Sequence, residues 1–231
     1  MTKRISVILL SALSLGLAQP QKPSFPNMAP LDEYLMPDRD AEIALARSAA
    51  PDSIARDAGV LVLGRKGYEV SAESKNGFTC LVQRSWAATT DAPEFWNSKL
   101  RSPACFNAAG VRTFVAIVMM KTKLALDGKS KVEIARALEA AWQNRQLPEA
   151  DPSAMCYMLS KQQYTDDVNK HWHPHLMFFV PRTPPTAWGA NLHESPVLGF
   201  EDPEDHMTVY LIPVRQWSDG SVDHEAMAMA H

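Results

Sequence analysis

His171-Trp172-His173-Pro174-His175 is the one dense group of metal-ligating side chains in the sequence. In an extended chain, residues two apart point the same way. The three imidazoles then face one side, roughly 6–7 Å apart at successive positions. His173 and His175 suit one zinc or copper ion, with His171 or a group from elsewhere completing the set. Pro174 stiffens the segment and lowers the entropy lost in holding the rings. His193, Glu194 and His206 follow in a proline-rich stretch and Asp166 and Asp167 precede, all of them candidate additional ligands. Three protein ligands and an open position would activate water, as a metal-dependent hydrolase requires. A closed set would bind without reacting. At the C-terminus His224, Met227, Met229 and His231 carry imidazole and thioether groups that suit copper(I), in a stretch whose composition reads as a tail.

Other chemistries find less support. Cys156 or Ser160 with His175 supplies a nucleophile and a base. No Gly-x-Ser-x-Gly elbow accompanies them, and His193-Glu194-Ser195 lacks the second histidine of a zinc-protease helix. No phosphate-cradling glycine loop is present. Asp202, Glu204 and Asp205 read as a solvated turn around Pro203. Trp86, Phe95, Trp96, Trp188 and Trp217 fall in or beside irregular stretches. There they either plug the core or line a groove for a small apolar or sugar-like ligand.

Composition and termini narrow the setting. Lys3 and Arg4 precede an apolar run, Ile5 to Leu17, and Gly16-Leu17-Ala18 puts small residues before a cut after Ala18. This is the layout of a secretory signal peptide over residues 1–18. The run falls short of the ~20 residues a spanning helix needs, and no later segment of the mature chain reads as membrane-spanning. The expected location is periplasmic or secreted. The net charge of −3 becomes −5 after the cut, with 21 basic against 26 acidic residues. No basic stripe remains to bind nucleic acid. Of the three cysteines, Cys80 and Cys105 close the shortest loop and are the expected disulfide in an oxidising compartment. Cys156, in an apolar stretch, reads as a small buried hydrophobe.

The elements that must position these residues follow from periodicity. Residues 19–37 form an extended, proline-rich leader, and Asp38 caps a helix running to Ala49. Val60–Leu63, Tyr68–Ala72 and Phe78–Arg84 read as a meander of strands, with Asn76-Gly77 as a hairpin turn. Residues 86–105 read as irregular. Apolar spacing predicts helices over Ala108–Leu126, stopped by Gly128, and Lys131–Arg145, opened by the capping box Ser130-Lys131-Val132-Glu133. Short strands follow at 155–159, 176–180 and 207–213, with a long loop at 181–206 and a flexible tail from Ser218. Asn76–Val82, Tyr157–Ser160 and His175–Phe179 together resemble a group of exported bacterial proteins without an established activity, over about Glu42 to Pro181. That resemblance implies export and a single domain, and transfers no site residue. The expected architecture is one α+β domain over residues 38–217, a mainly antiparallel sheet covered by a helical hairpin. The expected role is an exported, non-catalytic binding protein, for a transition metal at the histidines or another small ligand. The alternative is a metal-dependent hydrolase using His171–His175.

Overall fold

The computed structural model describes residues 25–167 and 170–224. The expected signal peptide, the start of the leader, and Met227, Met229 and His231 lie outside the described residues. The framework is one eight-stranded sheet in the order β2-β1-β3-β4-β5-β6-β8-β7. Its strands are β1 (Gly59–Gly64), β2 (Gly67–Ala72), β3 (Thr79–Gln83), β4 (Ser102–Phe106), β5 (Met155–Met158), β6 (His175–Pro181), β7 (Leu198–Asp202) and β8 (Met207–Pro213). Every pair is antiparallel except β1 with β3, so the sheet is mixed though mainly antiparallel.

That parallel pair corrects the expected meander. The Asn76-Gly77 turn forms, with Gly77 at φ +81° and the Asn76 side chain accepting from the Phe78 N–H. It does not join paired strands. The Asn76 amide donates to the Ile54 carbonyl at 2.8 Å, which carries the connection across the start of β1. Gly59 makes this crossing fit, because a Cβ there would sit 3.1 Å from the Ser74 backbone nitrogen. β3 therefore lands on the far side of β1 from β2.

The pleat divides the core in two. Leu63, Leu81, Phe106, Cys156 and Phe179 face the larger core, shared with helices α3 (Ala108–Gly110), α4 (Ala116–Leu126) and α5 (Lys131–Gln143). A π-helical turn, Val111–Val115, links α3 to α4. It carries Phe114, whose ring lies 4.2 Å from that of Phe179. Val60, Val62, Cys80, Val82 and Cys105 face the opposite side, packed under α1 (Arg39–Arg47) and α2 (Asp52–Ala55). The sequence leaves that second helical layer unassigned to a face. Asp38 caps α1 as expected, accepting from Asp40 and Ala41. The capping box at Ser130 and Glu133 opens α5.

Cys80 and Cys105 are directly opposed in the β3·β4 register and form a disulfide. Cys156 pairs with Phe106, one residue along from Cys105, so its thiol points through the other face of the sheet. The pleat thus decides which two of three cysteines meet. Burial pushes the Cys156 thiol far up from its ordinary pKa. No helix of the described residues is long and apolar enough to cross a membrane.

Two strands lie in stretches expected to be irregular. β4 includes Pro103, which lies opposite Val82 in the β3·β4 register and before the residues that pair with β5; the Val82 carbonyl accepts from the Tyr68 hydroxyl and the Arg84 guanidinium. β7 occupies the middle of the expected 181–206 loop, after a 3-10 turn at Pro185–Trp188.

Candidate functional site

The histidine segment runs into the start of β6. His175 is buried, and its Nδ1 lies 2.7 Å from the His173 carbonyl oxygen. Burial lowers its pKa to about 4, so the ring is neutral and Nδ1–H donates. The His173 Nδ1 lies 2.7 Å from Asp223. His171 meets the edge of Trp217 instead, at 5.9 Å between ring centres. The three imidazoles are thus held by different partners. The partners of His171 and His173 come from 214–223, part of which reads as tail in the sequence. Val214 N–H donates to the Pro174 carbonyl, and Gln216 bridges to Val222. His193 and Glu194 are exposed, and Asp167 pairs with Lys99. Among the described residues, no three His, Cys, Asp or Glu side chains gather to hold a metal ion. The Ser160 hydroxyl lies 2.6 Å from that of Ser48, and Cys156 is sealed in the core.

Most of the candidate groove aromatics prove to be core. Trp86 is fully buried and donates to Thr122, and Phe95, Trp96 and Trp217 are buried as well. Trp188 remains 42% exposed, stacked 4.3 Å from Tyr210.

A different constellation forms where α5 ends beside the β7–β8 turn. α4 buries Lys121 completely, on the same face as Ile117, Val118 and Ala125. Its ammonium lies 2.8 Å from Asp205 and 3.1 Å from Glu204, and donates to the Ala88 carbonyl. Glu204 also accepts from the backbone and hydroxyl of Thr90. Asp202 accepts from the Asp205 N–H, closing the turn. The acidic residues around Pro203 are therefore a buried anchor for α4, which corrects their reading as a solvated turn. Burial raises the Asp205 carboxyl to about 7, against the pull of Lys121.

This anchored turn delivers His206. Its ring stacks on Trp142 with centroids 4.7 Å apart and planes 8° from parallel, and its Nε2 lies 3.7 Å from Glu139. Trp142 is fixed in turn, because its Nε1–H donates to the Glu204 carbonyl at 3.0 Å. The β6·β8 register pairs Pro181 with Met207, bringing Arg182 to the same edge, where it donates to the Pro203 carbonyl. α5 closes with Gln146 N–H on Ala141 and Arg145 N–H on Trp142, which puts Arg145 at the terminal position glycine usually takes. The result is a cleft of about 420 Å3 walled by Trp142, His206, Leu147 and Pro181, with Arg145 and Arg182 lining it.

Arg145 has φ +54° and His206 φ +55°. This left-handed region disfavours any side chain with a Cβ. Arg145 and His206 are two of the five non-glycine residues at positive φ among the described residues, the others being Lys170, Asn191 and Glu194, and both line this cleft. Neither Arg145 nor Arg182 is in an ion pair among the described residues. Sequence reasoning reached His206 as a metal ligand but missed this cleft. One signal was available: α5 ends without glycine at its terminus, whereas α4 ends on Gly128 at φ +75°.

The chain matches no family model, no curated protein and no solved structure.

Proposed function

We propose that this chain is an exported, non-catalytic binding protein that holds a small ligand in the Trp142–His206 cleft. The observation that carries the reading is the pair of left-handed, non-glycine residues, Arg145 and His206, lining one preformed recess beside a fixed indole. Apolar walls with a few placed polar groups are the common make-up of small-ligand sites. Export is supported by the N-terminal layout and by the Cys80–Cys105 bond, which fits an oxidising compartment. The test is a thermal-shift screen of the disulfide-intact protein against small organic compounds, run beside Trp142→Ala. Stabilisation by a compound, abolished in the variant, supports the reading; equal stabilisation in both overturns it.

A transition-metal version has one observation behind it. A carboxylate on His173 Nδ1 is how ligating imidazoles are commonly oriented, and it leaves Nε2 for zinc or copper. The same Nε2 would serve a metal-dependent hydrolase with an open coordination position. Elemental analysis of protein purified without chelators or a histidine tag, beside His173→Ala/His175→Ala, decides this version. Near-stoichiometric metal lost in the double variant supports it, and no metal in either protein retires it.

A further inference from the structure

We infer that the ligand of this cleft is a small organic oxyanion, held at its charged end by Arg145 and Arg182 and along its apolar part by the Trp142–Leu147–Pro181 wall. The inference rests on the binding reading above and goes further by naming the ligand's chemistry.

The chain carries more acidic than basic residues, yet two guanidiniums line this cleft without a carboxylate partner among the described residues. Elsewhere in the fold some arginines are paired and others, Arg47, Arg101, Arg136 and Arg215, are likewise in no ion pair among the described residues; what marks this cleft is that two such guanidiniums line one recess. Arg84 is paired with Glu42 in the core, Arg56 with Asp52, Arg65 with Asp32 and Arg112 with Asp151. A guanidinium presents a planar fork of donors that fits carboxylate and phosphate oxygens. Arg182 already spends one donor on the Pro203 carbonyl, which restricts where the rest of its fork can point. Arg145 is placed by the backbone itself, because the left-handed turn at its Cα redirects the chain at the end of α5.

The other charged groups at the cleft are Glu149, which lines it, and Glu139, which faces the His206 ring. Glu139 partners the imidazole, leaving both guanidiniums unopposed by it. Glu149 is the one carboxylate among the lining residues, against two arginines and a histidine. An oxyanion without an apolar part would leave the Trp142 and Leu147 surface unused. A neutral apolar ligand would leave both guanidiniums, which are exposed, to water alone. An organic oxyanion uses both.

Four probes separate these contributions: benzoate and phenyl phosphate, inorganic phosphate, and benzyl alcohol. Each is titrated by calorimetry into the disulfide-intact protein, its Arg145→Gln/Arg182→Gln variant and its Arg145→Gly variant. The expected result is that benzoate or phenyl phosphate binds at least tenfold tighter than both inorganic phosphate and benzyl alcohol. The double variant loses tenfold or more of that affinity. Arg145→Gly also loses affinity while its melting temperature holds or rises, which a purely structural arginine would not give. Benzyl alcohol binding as tightly as benzoate, or unchanged affinity in the double variant, overturns the oxyanion and leaves the cleft as a binding site. No binding of any probe at millimolar concentration overturns the cleft reading as well.

Discussion

Arg145 and His206 each hold a backbone conformation that costs a residue with a Cβ about 1 kcal/mol. The fold maintains His206 through Lys121, whose buried ammonium pins Glu204 and Asp205 in the preceding turn. Lys121→Met leaves those carboxylates buried without their cation. The expected loss is about 3–5 kcal/mol, measured by urea unfolding; a loss under about 1 kcal/mol would show that the network does not anchor the turn. Two buried titrating groups act on acid stability in opposite directions. His175 is lowered to about 4 from an unfolded value near 6.5, so the unfolded chain binds more protons in that window. Its contribution to stability falls as pH drops from about 6.5 to 4, by up to about 3 kcal/mol. Asp205 is raised to about 7 from the usual carboxylate range, so there the native state binds more protons. Its contribution rises as pH drops from about 7 to 4. The two oppose each other, and single variants expose each. Chemical denaturation at pH 7 and pH 5 is expected to show His175→Gln gaining stability on acidification relative to the parent, and Asp205→Asn losing it. Parallel pH profiles for all three proteins would refute this assignment.

At the scale of elements, the disulfide and the glycines give separate tests. Cys80 and Cys105 are 25 residues apart and close β3 onto β4. Replacing both with alanine is expected to cost about 3 kcal/mol, with the melting curve as readout. Gly199 in β7 packs against Tyr210 and Ala190, and a Cβ there would lie 2.9 Å from each. Gly199→Ala is expected to cost about 1–3 kcal/mol, since neither backbone-anchored neighbour gives way freely. Local signals carried through to the structure. The Ser130–Glu133 box, the Asp38 cap and the Gly128 stop involve residues within a few positions of one another, so the sequence displays them directly. Non-local pairing was not displayed. Asn76-Gly77 signals a turn but not which side of β1 the next strand joins; Gly59 and the Asn76 contact to Ile54 settle that. β4 and β7 were hidden by Pro103 and by the glycine and acids of Leu198–Asp202. Lys121 falls three residues after Val118 on the apolar stripe, yet a lysine reads as an end to an apolar run. Its burial depends on carboxylates 83 and 84 residues away.

For the whole molecule, the sheet sets the sites apart. The histidine segment enters β6 at His175 and the cleft lies where β6 leaves at Pro181, so they occupy opposite ends of that strand. α4, α5 and the β7–β8 turn converge on the second end, and the 214–223 segment on the first. A ligand at either end therefore leaves a distinct footprint. The most direct measurement is a titration of 15N-labelled protein with benzoate, followed by backbone and indole amide shifts. Saturable changes are expected at the Trp142 indole N–H and at the amides of 142–150, 182 and 204–207, with little change at 171–175 and 214–223. Changes centred on the histidine segment, or none at millimolar benzoate, would contradict binding in the cleft.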